Sequence, residues 1–457
     1  MIKNTSENYT LKNDLIGQWF GILEVGAFKL TLSFDFSLGS DETIDSKMNC
    51  LEQGIADLPI EIVWDDNLLK FEIPHPAAVF EGSFNEEKTE VDGHFLQNGM
   101  SIPLVLSKGK KTENKASIRP QEPRSPYPYV EEHVTYLNTS AHITLAGTLT
   151  LPKSTKQCPA VLLIAGSGPN DRNETLFGHK PFLVLADHLT RAGIAVLRVD
   201  KRGVGESTGN YEIATTEDFK DDVCAGVEYL KTRKEISTKC IGLIGHSEGG
   251  IIAPMVALES KYIAWIVLMA ASGVRGDVLL YEQGKLISQA MGMEQEQIEQ
   301  QQQVQRLMFS VVEKETDTER AEPLLREVIS QHINELSKKK QDVDQEAFES
   351  QIKRVNSGWF RYFLSYDPAV ALKQITIPVL ALNGELDLQV SSKQNLSAIK
   401  KSLENVNENF TAIEFPKLNH LFQTCKSGSF SEYATIGETI SPFVLNTISD
   451  WIFTTCE

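Results

Sequence analysis

The chain has 457 residues, a length that predicts two to four domains. Hydrophobic residues make up 41% and charged residues 23%, which is typical of a soluble globular protein with a large core. The formal net charge of −18 at pH 7 repels polyphosphate and anionic lipid. We therefore expect no nucleic-acid binding and no docking on an anionic membrane.

The apolar runs, such as residues 159–164, are far too short to span a bilayer. Residues 1–14 are polar and lack the apolar core of a signal peptide. The six cysteines contain no CxxC pair, so neither a disulfide framework nor a zinc or redox motif is predicted. We expect no membrane span, no metal and a cytoplasmic location. A signal peptide removed ahead of residue 1 stays an open alternative.

The first part of the chain, from about Gly17 to Lys108, has the period-two pattern of half-buried strands. Apolar residues alternate with polar ones in 30–36, and the pattern returns in 60–64 and 69–73. Turn signals separate the strands: Gly39-Ser40-Asp41, Asp65-Asp66-Asn67, Asp92-Gly93 and Asn98-Gly99. Residues 1–115 are thus predicted to form an antiparallel β domain, either a sandwich or a partial barrel. It lacks a reactive constellation and is the expected site of any homo-oligomer contact.

A linker is predicted at residues 116–128. Lysines precede it and prolines interrupt any regular element within it: Lys108, Lys110, Lys111 and Lys115, then Pro120, Pro123, Pro126 and Pro128. The boundary between two domains is expected here.

From residue 129 to 457, short continuous apolar runs alternate with helical patterns. Such runs are typical of strands that are buried on both faces of a parallel sheet. The predicted strands are 160–165, 194–199, 240–244, 265–269, 378–382 and 410–415, and the predicted helices include 182–192 and 216–231, the latter with Thr216 as N-cap. This order predicts an α/β fold with a mostly parallel sheet between helices.

A long insertion, about 273–374, separates the fourth and fifth of these strands. Its segment Glu294–Arg306 is rich in Glu and Gln, which leaves a disordered low-complexity segment as an alternative. The apolar stripe that continues to Val312, without Pro or Gly, favours a helix. We predict a helical lid over the C-terminal edge of the sheet.

The sharpest signal is Gly245-His246-Ser247-Glu248-Gly249, a G-x-S-x-G pattern. It follows a predicted buried strand and precedes a helical stretch, the context that a nucleophile elbow requires. The glycines allow a tight turn that forces the serine into a strained conformation. Ser247 is therefore the predicted nucleophile, with a plain serine in a glycine-rich turn as the alternative.

A serine nucleophile needs a base, and in this kind of fold the chain order is Ser, then an acid, then His. His420, in the loop after the last predicted strand, is the predicted base, whereas His332 lies in the helical insertion. Asp387 follows a buried strand and is the predicted acid, with Glu385 as its competitor. The other available aspartates are Asp277, Asp317, Asp342, Asp344 and Asp367, the last read as a turn former.

The oxyanion of an acyl-transfer intermediate needs two preorganised N–H donors. The backbone amide of Glu248, directly after the nucleophile, is one predicted donor. The other is the amide of Ser167, in the loop Gly166–Arg172 after the first buried strand, unless that loop is only a tight glycine turn. Gly168 in the same loop is a candidate substrate contact.

Two further segments follow predicted strands or precede the last of them. The loop Asp200–Ser207 suggests nucleotide binding at first sight but fails the G-x-G-x-x-G spacing, so Asp200 and Arg202 are predicted to brace the rim of the site. The aromatic segment Ser357–Phe363 is predicted either to pack in the core or, through Trp359, to contribute to an apolar acyl pocket.

Four segments together resemble a group of bacterial α/β-hydrolase esterases in the branch of dienelactone hydrolases and serine aminopeptidases: Gly166–Arg172, Asp200–Ser207, Gly245–Gly250 and Pro378–Val390. The resemblance covers about residues 129–457, and the N-terminal β segment looks like the extra domain that many members carry. It implies Ser247, Asp387 and His420 as the triad and carboxylesterase activity on short or medium acyl esters without a cofactor. One departure is Ala165, where many relatives have a structural histidine, so the loop is expected to be braced differently.

The leading hypothesis is thus a serine esterase with a small-molecule ester as substrate. The same triad would also serve a peptidase, an amidase or a thioesterase. A catalytically silent binding protein with a hydrolase fold is the remaining alternative, although the intact chain order of the triad argues against it.

Overall fold

A computed structural model describes residues 15–25, 28–39, 43–50, 55–64, 68–73, 78–97, 100–109, 119–154, 156–338 and 345–456. The described strands form two separate sheets, one of nine strands in the N-terminal part and one of eight strands in the rest.

The first sheet is antiparallel throughout. Its strands are β1 (Gly17–Val25), β2 (Phe28–Leu38), β3 (Ile44–Cys50), β4 (Ile55–Pro59), β5 (Glu61–Trp64), β6 (Leu68–Ile73), β7 (Ala78–Phe84), β8 (Glu90–Gln97) and β9 (Met100–Lys108). They lie in the order β4-β3-β2-β1-β9-β8-β7-β6-β5. The two edge strands follow each other along the chain, so the sheet is nearly closed. Of the two predicted forms, a barrel-like sheet is found and a sandwich is not.

The core of this sheet consists of the alternating apolar residues that the sequence indicated. Trp19, Phe34, Phe71 and Phe80 are fully buried there. One predicted turn was wrong. Asp92 and Gly93 lie inside β8, and the chain turns at residues 85–89 instead. Gly93 is opposite Gly82 on β7, where a side chain would collide with the backbone of the partner strand, which explains a glycine in a strand interior.

Lys110, Lys111 and Lys115 lie outside the described residues. Most of the other turns predicted for the N-terminal region also lie outside them. The described residues 119–129 contain neither helix nor strand. The domain boundary at 116–128 stays a prediction.

The second sheet confirms the predicted α/β architecture. Its strands are β10 (Val130–Asn138), β11 (Ile143–Leu151), β12 (Cys158–Ile164), β13 (Ala195–Val199), β14 (Ile236–His246), β15 (Ile263–Met269), β16 (Val379–Gly384) and β17 (Phe410–Phe415). The order is β10-β11-β13-β12-β14-β15-β16-β17. The six strands from β12 to β17 are parallel, and the first two pair antiparallel at one edge. This is the α/β-hydrolase fold.

Helices cover both faces of the sheet. They are α1 (Pro181–Ala192), α2 (Thr216–Lys231), α3 (Glu248–Glu259), α4 (Gly276–Ala290), α5 (Gln295–Lys314), α6 (Thr318–Lys338), α7 (Gln345–Val355), α8 (Gly358–Ser365), α9 (Pro368–Leu372), α10 (Ser392–Leu403), α11 (Phe430–Tyr433) and α12 (Pro442–Cys456). The N-cap of α2 is Thr215, whose hydroxyl and backbone amide exchange hydrogen bonds with Asp218, and not Thr216 as predicted. This leaves the hydroxyl of Thr216 free to act elsewhere.

The insertion between β15 and β16 contains α4 to α9, so the Gln-rich segment is helical, as predicted. The apolar residues of α5 pack with α6, α7 and α8 in a core of their own. A second apolar cluster joins Leu279 and Phe363 of the insertion to Ile251 and Met255 of α3. The insertion therefore lies over the edge of the sheet from which α3 begins.

A disulfide bond that the sequence analysis did not predict joins Cys240 in β14 to Cys456 at the end of α12. Disulfides are uncommon in a reducing cytoplasm. The pair therefore does not support the expected cytoplasmic location, which stays a prediction. Among the described residues, no helix is both long and apolar enough to cross a membrane.

Candidate active site

The G-x-S-x-G segment forms a sharp turn between β14 and α3. Ser247 sits at its apex with φ 54° and ψ −115°, a left-handed conformation that costs strain for a residue with a side chain. A Cβ on Gly245 would collide with the backbone of Gly249, and one on Gly249 would collide with the backbone of Ile164 in β12. The glycines are thus required by close backbone approach, and they leave Ser247 at the C-terminal end of the sheet.

Asp387 and His420 meet beside this turn. His420 Nδ1 lies 2.8 Å from Asp387 Oδ2, and both side chains are buried. The other carboxylate oxygen, Oδ1, accepts hydrogen bonds of 2.8 Å from the backbone amides of Gln389 and Val390. An ionised aspartate only accepts, so Nδ1 carries the proton and Nε2 is left as the basic nitrogen.

His246, the residue before Ser247, connects the turn to the histidine loop. Its ring lies 4.7 Å from that of His420, between centroids. Its Nδ1 is 2.9 Å from Glu174 Oε1 and its Nε2 is 3.1 Å from the backbone oxygen of His420. Burial opposes the charged form, but the Glu174 charge and these hydrogen bonds outweigh it and raise the pKa of His246. Both ring nitrogens of His246 thus face oxygen atoms that can accept a hydrogen bond.

The loop after β12 also reaches the turn. The Cα of Gly166 is so near Ser247 that an added Cβ would lie 3.1 Å from the serine Cβ. Ser167 is exposed, and Gly168 has φ 105°, which favours glycine. Glu174 Oε1 accepts a 2.7 Å hydrogen bond from the amide of Gly166. Glu174 thus joins the loop to His246.

The side chain of Glu248 makes contacts beside the nucleophile that the sequence analysis missed. It is buried, and its Oε1 accepts hydrogen bonds of 2.7 Å from both Trp359 Nε1 and Thr216 Oγ1. Its Oε2 lies 3.4 Å from Lys201 Nζ. The contact to Trp359 joins the insertion to the turn across 111 residues. No local pattern could have indicated it.

Asp200 and Arg202 have separate partners. Asp200 Oδ1 accepts from the Arg172 amide at 2.7 Å and from its Nε at 3.1 Å, which ties the loop after β13 to the loop after β12. Burial alone would raise the pKa of Asp200, but the hydrogen bonds from Arg172 and neighbouring amides lower it. Arg202 instead pairs with Asp222 of α2, with Nε 2.7 Å from Oδ2. Asp200 therefore braces the loops at the sheet edge, and Arg202 anchors a helix.

The other candidates for the acid and the base lie elsewhere in the structure. Glu385 accepts from the backbone amide of Lys417 at 3.0 Å. Asp367 is the N-cap of α9, and His332 belongs to α6. Asp342 and Asp344 lie outside the described residues. Within the part of the chain that the structure describes, no group of three His, Cys, Asp or Glu side chains could hold a metal ion.

Comparison with known proteins gives one curated relative and several solved structures. The chain is 28% identical over 310 residues to esterase EstD of Thermotoga maritima, covering 67% of this chain and 65% of EstD. The chain thus spans less than two thirds of the length of that relative.

Two solved structures match the chain at low identity. The esterase Pf2001 of Pyrococcus furiosus is 15% identical, with a TM-score of 0.43 and coverage of 71% of this chain and 93% of that one. Est1E of Butyrivibrio proteoclasticus, solved with ferulic acid bound, is 16% identical, with a TM-score of 0.41 and coverage of 70% and 98%.

A family model supplies the assignment that these likenesses leave open. The model of the X-Pro dipeptidyl-peptidase (S15) family matches residues 142–411, which is more than half of the chain. The match begins directly before β11 and ends in β17, so it includes the turn at Ser247, the insertion and Asp387. The chain therefore belongs to the X-Pro dipeptidyl-peptidase (S15) family.

Proposed function

We propose that this chain is a serine hydrolase that cleaves carboxylic esters of short to medium acyl chains. The observation that carries the proposal is the pairing of His420 Nδ1 with Asp387 Oδ2 at 2.8 Å beside a serine held at φ 54°. This arrangement activates a hydroxyl for acyl transfer. It combines a strained serine at the end of a parallel strand with a nearby histidine whose tautomer is held by an aspartate.

In the first half of the reaction, Ser247 Oγ attacks the ester carbonyl while His420 Nε2 takes the hydroxyl proton. Asp387 keeps the ring in the correct tautomer and stabilises the imidazolium. The tetrahedral oxyanion accepts hydrogen bonds from the amides of Ser167 and Glu248, and the N-terminus of α3 adds its dipole. His420 then gives its proton to the alcohol, which leaves an acyl group on Ser247.

In the second half, a water molecule gives a proton to His420 Nε2 and attacks the acyl carbonyl. The same two amides hold the second oxyanion. When it collapses, the carboxylic acid leaves and the proton returns to Ser247 Oγ. No cofactor is needed in either half.

The acyl pocket is proposed to lie between α3 and the insertion. The surfaces that meet there are apolar, with Phe363 and Leu279 against Ile251 and Met255, and Trp359 stacks on Phe363 with ring centroids 5.2 Å apart. An apolar acyl chain would fit such surfaces. Gly168 and Trp359 are the residues we expect to contact the substrate.

Peptide cleavage is the second candidate, because the S15 family description is that of a dipeptidyl-peptidase. An exopeptidase of this kind needs a carboxylate for the free amino terminus. The buried carboxylates near Ser247, apart from Asp387 of the proposed triad, already have partners, since Glu174 binds His246 and Gly166, and Glu248 binds Trp359 and Lys201. This arrangement, together with the relation to EstD, favours esters.

The test is a p-nitrophenyl ester series from acetate to long acyl chains, with X-Pro p-nitroanilides in parallel. Ser247→Ala should abolish turnover, while Ser449→Ala, at a buried serine of α12, should retain it. Full esterase activity in Ser247→Ala would refute the assignment. Cleavage of the anilides but of no ester would establish the peptidase, and failure of a fluorophosphonate to label Ser247 would establish a silent binding protein.

A further inference from the structure

Lys201 places a positive charge in the interior of the proposed site. It follows β13 in the loop Asp200–Ser207, and its side chain is only 9% exposed. A buried ammonium is costly unless it is paired and hydrogen-bonded, so its partners show what it stabilises. One partner is the carbonyl of the Gly166–Ser167 peptide, whose N–H would bind the oxyanion, and the other is the side chain of Glu248, whose amide is the second proposed donor.

The first partner is the backbone oxygen of Gly166, 2.6 Å from Lys201 Nζ. This oxygen and the N–H of Ser167 are opposite ends of one planar peptide unit. A cation that holds the oxygen therefore also fixes the direction of the N–H. It polarises the amide as well, which makes the N–H a stronger donor. Asn170 Nδ2 donates to the same oxygen at 2.8 Å.

The second partner is Glu248, whose Oε2 lies 3.4 Å from Lys201 Nζ. The Glu248 side chain is fully buried, and its charge would disfavour a second negative charge forming nearby. Lys201 neutralises it. The ring of Phe219, with its centroid 4.4 Å from Nζ, covers the ammonium and adds a cation–π contact.

We propose that Lys201 is a positioning residue of the oxyanion hole, which holds the Gly166–Ser167 peptide with its N–H directed at the oxyanion. The proposal rests on the proposed serine-hydrolase function. It gives a reason for the buried Lys201 ammonium to bridge the loop after β12 and Glu248 of α3.

The test compares Lys201→Met with wild type by kcat/KM on a p-nitrophenyl ester and by the inhibition constant of an alkylboronic acid. The boronic acid forms a tetrahedral adduct on Ser247 with an oxygen in the oxyanion hole. Loss of one donor costs about 100- to 1,000-fold, so misdirecting one should lower kcat/KM and boronic acid affinity together by roughly 10- to 100-fold. KM should change by less than about threefold, since ground-state binding is retained.

Lys231→Met is the matched control. Lys231 also combines a cation–π contact, to Tyr262 at 3.7 Å, with an ion pair to Glu228, but it lies at the far end of α2. It should leave both constants unchanged. Unchanged boronic acid affinity in a folded Lys201→Met would overturn the proposal. An inactive wild type would instead remove the proposed function, and this inference with it.

A double variant separates the two partners of Lys201. In Lys201→Met with Glu248→Gln, the unpaired carboxylate is gone but the Gly166–Ser167 peptide still lacks its cation. The defect should persist, and full recovery would show that Lys201 only neutralises Glu248, contrary to the proposal. If Lys201→Met does not fold, Asn170→Ala removes the other donor to the same oxygen and should weaken boronic acid binding severalfold. Unchanged binding there would also count against the proposal.

Discussion

The two sheets of this chain use the same residue types for different purposes. In the N-terminal sheet, antiparallel neighbours run in opposite directions, so its loops divide between both ends and its buried face is filled by Trp19, Phe34 and Phe71. In the second sheet, six parallel strands end at one edge, where the loops after β12, β13, β14 and β16 meet. Reactive side chains gather at that edge because parallel strands bring the ends of distant segments together.

The comparison predicts that substitutions in the two sheets damage different properties. At the edge of the parallel sheet, a change of one atom should destroy turnover and spare stability. In the core of the antiparallel sheet, a large deletion should destroy stability and spare turnover.

The largest effect is expected for Asp387→Asn. The amide oxygen can keep the bonds to Gln389 and Val390, but an NH₂ group would face His420 and impose the wrong tautomer. We expect kcat to fall by about 10,000-fold with little change in the melting temperature. Asp367→Asn is the control, because asparagine caps α9 as well as aspartate does. Steady-state kinetics with a p-nitrophenyl ester would measure kcat for both variants. Near-normal turnover in Asp387→Asn would exclude Asp387 as the acid of the triad.

Trp19→Ala tests the opposite half of the comparison. Trp19 is fully buried, donates from Nε1 to the Leu15 backbone oxygen at 2.8 Å and packs edge-on against Phe84. Its removal should lower the free energy of unfolding of the N-terminal sheet by about 3–5 kcal/mol. The kcat of the folded fraction should stay at the wild-type value.

Trp265→Ala, in β15 behind the nucleophile strand, is the matched control because this tryptophan is buried equally well. It should impair both stability and turnover. Denaturant unfolding monitored by fluorescence, together with kinetics on the same samples, distinguishes the two variants. A loss of kcat in folded Trp19→Ala would show that the sheets are coupled.

The smallest effect is a pH dependence of stability in the catalytic half. Burial, followed by the charge of Arg119, lowers the pKa of His179 from 6.5 to about 4. Its ring is fully buried, with Nδ1 2.8 Å from Thr439 Oγ1 and Nε2 2.9 Å from the Tyr433 oxygen. Between pH 6.5 and 4 the unfolded chain binds a proton that the native state does not. The free energy of unfolding should therefore decrease as the pH is lowered from 6.5 to 4, by on the order of 3 kcal/mol.

Replacing His179 with Gln should flatten that pH dependence, which urea unfolding at several pH values would measure. His94→Gln is the control, since His94 is an exposed histidine of the antiparallel sheet. An unchanged slope in His179→Gln would show that other groups cause the acid sensitivity.

Much of the site could be predicted because its signals are local. The glycines around Ser247 mark a tight turn wherever they occur after a buried strand. The chain order left His332 and His420 as bases, and only His420 follows a predicted strand. Asp387 differed from the other aspartates by its place after a buried strand, but Glu385 follows the same strand, and only the contact with His420 separates the two. Local signals also failed, since Asp92-Gly93 reads as a turn but occupies a strand interior, where cross-strand packing against Gly82 overrides turn propensity.

The sequence by itself determined the alternation of strands and helices, the antiparallel character of the first sheet and the three residues proposed as the triad, because periodicity and turn chemistry act over a few neighbouring residues. The tertiary structure decided the contacts of Glu174, Lys201 and Trp359, and the pairing of Cys240 with Cys456. The contacts of Glu174 and Lys201 depend on the strand order β13-β12-β14, which places loops from distant segments side by side, and the other two depend on how the insertion and the last helix pack. Such an order is set by the packing of the whole sheet, so no local pattern contains it.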